Sequence, residues 1–219
     1  MPTAAERRPA KAERTRAAVL AAAERLFARR GFAATRLEDV AEAVGVKRAA
    51  LFYHFRDKQE LYDAVIEDAF GALVACLDEA FSVPRPIAER IERAVEAWVD
   101  AIVARPALAR LILRHAAEAE ENGDQPLFPA AERLLRVGFS LFEQGRASGE
   151  LQPVHDDPFH TASAVVGATV FFVSAFGALL PTSEFDPLAP QQVAAHKRDA
   201  LRTVRRLLGI GTPRRTVRP

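Results

Sequence analysis

Residues 35–61 read TRLEDVAEAVGVKRAALFYHFRDKQEL, and the fold turns on Gly45 in the middle of them. Leu37, Val40, Ala41 and Val44 recur at the spacing of one apolar helix face. Ala41 stands four residues before Gly45 and Leu51 six after it. Two short helices crossing at a tight turn require this arrangement. The small residue lets the second helix come close, the glycine takes a left-handed backbone, and the aliphatic residue enters the core. The spacing predicts a second helix from about Lys47 to Phe55, with Leu51 and Phe55 facing inward. This is the helix-turn-helix pattern, whose second helix can lie in a DNA major groove.

The flanks agree. ERTRAAVLAAAERLFARR, residues 13–30, carries Val19, Ala22, Ala23, Leu26 and Phe27 on one face and is stopped by Gly31. Thr35 and Glu38 match a capping box opening the next helix, with Glu38 bonding back to the Thr35 N–H. Asp57 is placed to cap a long fourth helix reaching about Phe81. Cations gather at helix starts. Arg48 can fork to guanine O6 and N7, and Lys47 can neutralise a phosphate. Lys58 can join helix N-terminal amides around another phosphate, and Arg36 sits likewise at the start of the second helix. Lys47 is a poor N-cap and lies unfavourably at the positive end of the helix dipole, a cost that makes sense with a phosphate opposite.

Charge along the chain is uneven. Residues 1–60 hold 13 Lys and Arg against 8 Asp and Glu, residues 61–196 hold 9 against 20, and residues 197–219 hold 8 against 1. A basic front behind an acidic middle suggests that one part meets a polyanion; solvated helix faces with a basic tail would give the same sums. Helical periodicity runs on near 86–104, 107–120, 127–148, 158–180 and 190–208, broken at Pro106, Asn122-Gly123, Gly149, Pro181, Asp186-Pro187 and Gly209. At Asp157-Pro158 a cap is followed by proline at the first helical position. The expected fold is all-α: a basic flexible arm (1–12), a three-helix helix-turn-helix domain (13–60), a larger helical domain (61–209) and a basic disordered tail (210–219). The N-terminus has no apolar segment of a secretory signal, and the run from Ala162 to Leu180 is interrupted by Ser163, Gly167, Thr169, Ser174 and Gly177. A cytoplasmic protein with no membrane partner is expected. The single cysteine, Cys76, excludes an internal disulfide framework and is read as inert packing among Leu73, Val74 and Leu77.

The segment AAERLFARRGFAATRLEDVAEAVGVKRAALFYHFRDKQEL resembles the TetR family of bacterial transcriptional regulators. It carries that family's G-F/Y-x-x-T, D-V/I-A, G-V, L-Y-x-H/Y-F and K-x-x-L signposts at matching spacing, with Phe52 in place of the Tyr, and the resemblance runs from about Arg14 to Val65, about a quarter of the chain. The resemblance implies an all-α homodimer, usually a repressor of a double-stranded DNA operator. It implies a divergent helical domain that binds a small-molecule effector and dimerises through its last two long helices. It also implies DNA-facing positions at Thr35, Arg36, Lys47, Arg48, Ala49, Phe52, Tyr53, His54 and Lys58. Phe52 stands where the family usually has Tyr, so a phosphate-reaching hydroxyl is missing unless Tyr53 supplies it.

Beyond residue 61 the apolar residues read first as core. A sharper reading makes Trp98, Ile102, Leu111, His115, Phe139, Phe142 and Phe172 walls of a cavity for a small apolar or amphipathic effector, with Trp98 and His115 as polar handles. VVGATVFFVSAFGALL, apolar nearly all round, would pair with VAAHKRDALRTVRRLL in a dimer seam. HDDPFH offers His155 and His160 to a metal, but Asp157-Pro158 already reads as a helix start, and no G-x-S-x-G or H-E-x-x-H occurs. No cofactor, catalytic residue or metal is expected. The reading is a non-enzymatic, ligand-responsive regulator, most naturally a repressor. An activator, or a ligand-binding protein that has lost its operator, is the alternative, with a hydrolase centred on His155 and His160 a remote third. Lys47→Ala should weaken operator binding and lower the slope of log affinity against log salt by about one counterion, read from binding isotherms across a salt series.

Overall fold

The computed structural model describes residues 4–117, 130–180 and 185–211, with side chains described from residue 11 and, after residue 129, from residue 132. Every regular element among them is helical: α1 (Ala4–Ala34), α2 (Leu37–Val44), α3 (Arg48–Phe52), α4 (Lys58–Ser82), α5 (Ile87–Ala104), α6 (Pro106–Ala117), α7 (Ala130–Ser148), α8 (Phe159–Phe171), a π-helical turn (Phe172–Phe176), α9 (Gly177–Leu179) and α10 (Pro190–Leu208). The expected breaks at Asn122-Gly123 and Pro181, the apolar Phe128 and residues 212–219 of the basic tail lie outside the described residues. Helix α1 takes in residues 4–12, for which composition suggested a flexible arm.

Packing divides the chain into two units, residues 1–71 with 110–128 and residues 72–109 with 129–219. The sequence placed this change near residue 60. The difference has a physical reason: α4 keeps burying Leu61, Val65, Ile66, Ala69 and Phe70 past that point. Segment 110–128 joins the first unit because Arg114 donates from Nε to Ala28 O (3.1 Å) and from Nη2 to Arg29 O (2.7 Å).

In the first unit, Val19, Ala22, Ala23 and Phe27 of α1 are buried, as are Val40 and Ala41 of α2 and Leu51 of α3. Phe27, Phe32 and Tyr62 interlock, with Phe27 and Phe32 each meeting Tyr62 edge-on at 5.0 and 5.1 Å. Gly31 leaves the helical path at φ 81°, as expected of a stop. The capping box does not form. The Thr35 N–H bonds to Phe32 O (3.3 Å), and its hydroxyl donates to Gly31 O (2.7 Å). Arg36 becomes the N-cap of α2 with no side-chain cap. At the other end of α2, Gly45 sits at φ 74°, ψ 30°, with its N–H on Glu42 O and the Val46 N–H on Ala41 O. These two bonds satisfy the last carbonyls of the helix. Helix α3 is shorter than expected, ending at Phe52, because the His54 and Phe55 N–H groups both turn back to Leu51 O. Asp57 caps α4 as expected, accepting from the Glu60 N–H at 2.8 Å. The Arg56 backbone N–H, then its guanidinium, hold the Glu60 carboxyl below its usual range.

In the second unit, α5 buries Ala94, Val95, Trp98, Val99 and Ile102, and Glu150 accepts from the Ile87 N–H at its start (2.7 Å). Helix α10 packs on α5 and α8. Glu92 receives two bonds from Arg205 (2.8 and 2.7 Å), while Asp100 pairs with Lys197 at 2.5 Å. The two pairs are eight residues apart on each helix and run in opposite order, so α5 and α10 are antiparallel with a charged edge. Cys76 on α4 is exposed, which corrects its reading as packing.

Phe159–Leu179 is long and apolar enough to cross a membrane, with mean hydropathy 1.9, although the sequence reading discounted the run by its small and polar residues. Only 22 % of it is buried within the chain. Thr161 and Thr169 face inward, while Val166 and Phe171 face solvent. The Thr169 hydroxyl donates to Val165 O (2.8 Å) and lies 3.1 Å from His196 Nε2, so Nε2 carries the hydrogen and donates to it. His196 also stacks on Phe172 at 4.3 Å. Burial holds the His196 pKa below its ordinary value, with Asp199 opposing. The neutral ring is therefore the folded form, and the unfolded chain takes up the proton first as pH falls. Its stabilising contribution is complete above the unfolded pKa of about 6.5 and is lost as pH drops through the lower folded value. Urea unfolding of the wild type should weaken between about pH 7 and pH 5 more than that of His196→Gln, which cannot gain this proton.

Candidate nucleic-acid interface

Four cations were expected to face DNA, and the structure sorts them. Arg36 and Lys47 are exposed at the N-caps of α2 and α3, with no ion pair among the described residues. Their ammonium and guanidinium groups are available to phosphate. Arg48 lies at the first position of α3. Its Nη1 pairs with Glu38 Oε1 at 2.8 Å, and its guanidinium carbon stands 5.3 Å from the Phe52 ring centre. Lys58 is employed differently. Its ammonium donates to Phe32 O (2.9 Å) and Ala33 O (3.3 Å) and lies 4.3 Å from the Phe32 ring centre. These carbonyls at the end of α1 carry partial negative charge, which the ammonium satisfies.

The remaining expected residues divide by exposure. Thr35 is 1 % exposed with its hydroxyl spent on Gly31, so its side chain offers nothing to a surface ligand. Ala49 is exposed on α3. Phe52 is 45 % exposed and Tyr53 80 %, which places the only nearby phenol fully at the surface. His54 is half-buried and meets Tyr53 edge-on at 5.0 Å. Leu51 and Phe55 are buried, as expected. The result is a short helix anchored by Leu51 that presents Lys47, Arg48, Ala49, Phe52 and Tyr53 from one end of the first unit.

Two residues of this surface were missed. Arg16 of α1 stands over the Phe55 ring at 5.4 Å, a contact across distant sequence that no local pattern announces. Glu38 was assigned to a capping box and instead holds Arg48. Its neighbour Asp39 holds Arg30 at 2.6 Å.

The expected effector residues do not assemble on one unit. Leu111 and His115 belong to the first, and Trp98, Ile102, Phe139, Phe142 and Phe172 to the second. Ile102, Leu111 and Phe142 are fully buried. Phe139 packs edge-on against Phe159 at 4.9 Å, and Phe172 stacks on His196. Trp98 is different: its indole Nε1–H is buried without a hydrogen-bond partner among the described residues. His155, in the turn before α8, stacks on His160 at 4.3 Å. Asp157 accepts from the Phe159 N–H at 2.9 Å, and its contact with His160 holds its carboxyl below the usual range. Among the described residues no three His, Cys, Asp or Glu side chains gather as metal ligands.

Residues 19–65 match the family described as "Bacterial regulatory proteins, tetR family". The HTH-type transcriptional regulator TtgR of Pseudomonas putida is 48% identical over 56 residues, which cover 26% of this chain and 27% of TtgR. The chain thus spans about a quarter of the length of the first curated relatives it matches. The structure of the ketosteroid transcriptional regulator KstR2 of Mycobacterium tuberculosis superposes with TM-score 0.68 at 22% identity, covering 86% of this chain and 92% of that one. AibR, solved in complex with isovaleryl coenzyme A and operator DNA, gives TM-score 0.66 at 17% identity, covering 85% and 96%. These likenesses extend the shared fold over most of the chain.

If Lys58 is a brace, Lys58→Ala should lower unfolding stability by about 1 kcal/mol. It should leave the salt slope of DNA binding at its wild-type value, and a slope lower by about one would place Lys58 on phosphate instead. Residues 19–65 thus carry the helix-turn-helix segment of the tetR family of bacterial regulatory proteins, set in an all-helical fold shared with solved regulators.

Proposed function

We propose that the chain is a cytoplasmic, homodimeric, ligand-responsive transcriptional regulator that represses genes from a pseudo-palindromic operator. The observation that carries this reading is the exposed end of the first unit. There α3 is anchored by Leu51 and presents two unpaired cations, Arg36 and Lys47, beside Arg48. Phosphates are met by Arg36 and Lys47, and base edges by Arg48 and the exposed face of Ala49 and Phe52. Tyr53, nearly free of the protein, supplies a hydroxyl to the backbone in place of the one absent at Phe52.

Dimerisation is assigned to α8 and α10. A helix apolar on nearly all sides that is mostly unburied within its own chain leaves an apolar face for a second copy. Two such heads read half-sites about one helical turn, ~34 Å, or a multiple apart. The effector is assigned to the second unit, as a small apolar or amphipathic molecule. The unpartnered Trp98 N–H favours one carrying a hydrogen-bond acceptor, since an unpaired buried donor is costly. Repression is relieved when the effector prefers a head spacing that the operator does not. AibR, with its coenzyme A thioester and its operator, is a relative in fold that binds both kinds of partner.

Selection of bound sequences from random DNA should return a two-fold symmetric site. Gel shifts at fixed salt should show it bound at least ~10³-fold more tightly than unrelated DNA. Equal binding to both would reject the regulator reading in favour of a ligand-binding protein without an operator.

A further inference from the structure

The ion pair between Arg48 and Glu38 joins two exposed side chains, 59 % and 53 % accessible, on successive helices. Exposed pairs of this kind contribute little to stability. Its position is the informative part. Arg48 is the residue best suited to read a guanine, and it is held twice: at Nη1 by the Glu38 carboxylate and on its flat face by the Phe52 ring. Among the described residues nothing engages its Nε or Nη2 donors. A free arginine samples many rotamers and loses that freedom when it docks on a base. One held on two sides has lost most of it beforehand and presents one edge in one orientation.

The carboxylate has an opposite effect on the phosphate backbone. Glu38 sits in the first turn of α2, beside the exposed Arg36, and repels every DNA sequence alike. A residue that weakens all binding equally yet orders the base-reading group raises discrimination at the expense of affinity. We propose that Glu38 is a positioning residue for base readout. With Phe52 it fixes the Arg48 guanidinium so that its Nε–Nη2 edge meets one base pair of each half-site. The inference rests on the operator-binding reading above. The Phe at position 52 belongs to the same device: an apolar ring face serves as the platform for the guanidinium.

Glu38→Gln keeps the size of the side chain and removes its charge, which separates the two roles. Binding to unrelated DNA should tighten, while the ratio of operator to unrelated DNA should fall by about tenfold, the discrimination of one well-formed arginine–guanine contact. A scan of single base-pair changes across the operator should flatten at the position that Arg48→Ala also flattens, and nowhere else. The double variant should match Arg48→Ala alone in its ratio of operator to unrelated DNA, while binding both more tightly. Equal tightening on both DNAs, or a flattened position that Arg48→Ala leaves untouched, would overturn the proposal and leave Glu38 as a simple repulsive charge. If the wild type itself discriminates no site, the regulator reading fails first. The clamp is then decided without DNA, by NMR relaxation of the Arg48 Nε in the free protein. Glu38→Gln should free that group, and equal mobility in both proteins would overturn the clamp.

Discussion

The left-handed turn at Gly45 is the constraint on which the DNA-facing end depends. With φ at 74° and ψ at 30°, the chain reverses within one residue, and the Gly45 and Val46 N–H groups close the end of α2. A side chain there would be strained by its own backbone, whatever the space around it. The turn sets α3 across α2, puts Leu51 into the core, and directs the Arg48 side chain back along α2. That last consequence places Arg48 within reach of Glu38, ten positions away in sequence.

The basic residues of the first unit divide between structure and surface. Arg114 and Lys58 end on carbonyls of α1, closing the orphaned end of that helix from two different places in the chain. Arg30 and Arg48 are neutralised by the acidic pair Asp39 and Glu38 in the first turn of α2. Arg36 and Lys47, both at helix starts, have no ion pair among the described residues. A phosphate there meets side-chain charge and the positive end of a dipole together.

The second unit follows a different logic. Its acidic helix α5 is paired along one edge with the basic α10. The apolar helix α8 buries Thr161 and Thr169 beside Val165 and Val170 and leaves Val166 and Phe171 outside. The Thr169–His196 bond and the Phe172 stack give α8 and α10 one specific register, because a buried hydroxyl and imidazole are satisfied in only one alignment.

The sequence by itself determined the helices, the Gly45 turn, the inward Leu51 and Phe55, and the Asp57 cap. Each of these depends on neighbours within one or two helical turns. It also carried the likeness to the tetR family over residues 19–65, through a motif whose spacing is a packing requirement. Only the tertiary structure decided which cations are free. Lys58 and Lys47 look alike in sequence, and their fates differ because carbonyls of α1 lie beside one and not the other. Thr35 and Glu38 fit a capping box, yet Gly31 O and Arg48 offered each a partner from outside the local pattern. The boundary near residue 60 moved for the same reason: α4 goes on burying its apolar face, and Arg114 ties a distant segment back to α1. A side chain's partner across space is set by how helices cross, and no periodicity in the chain encodes that.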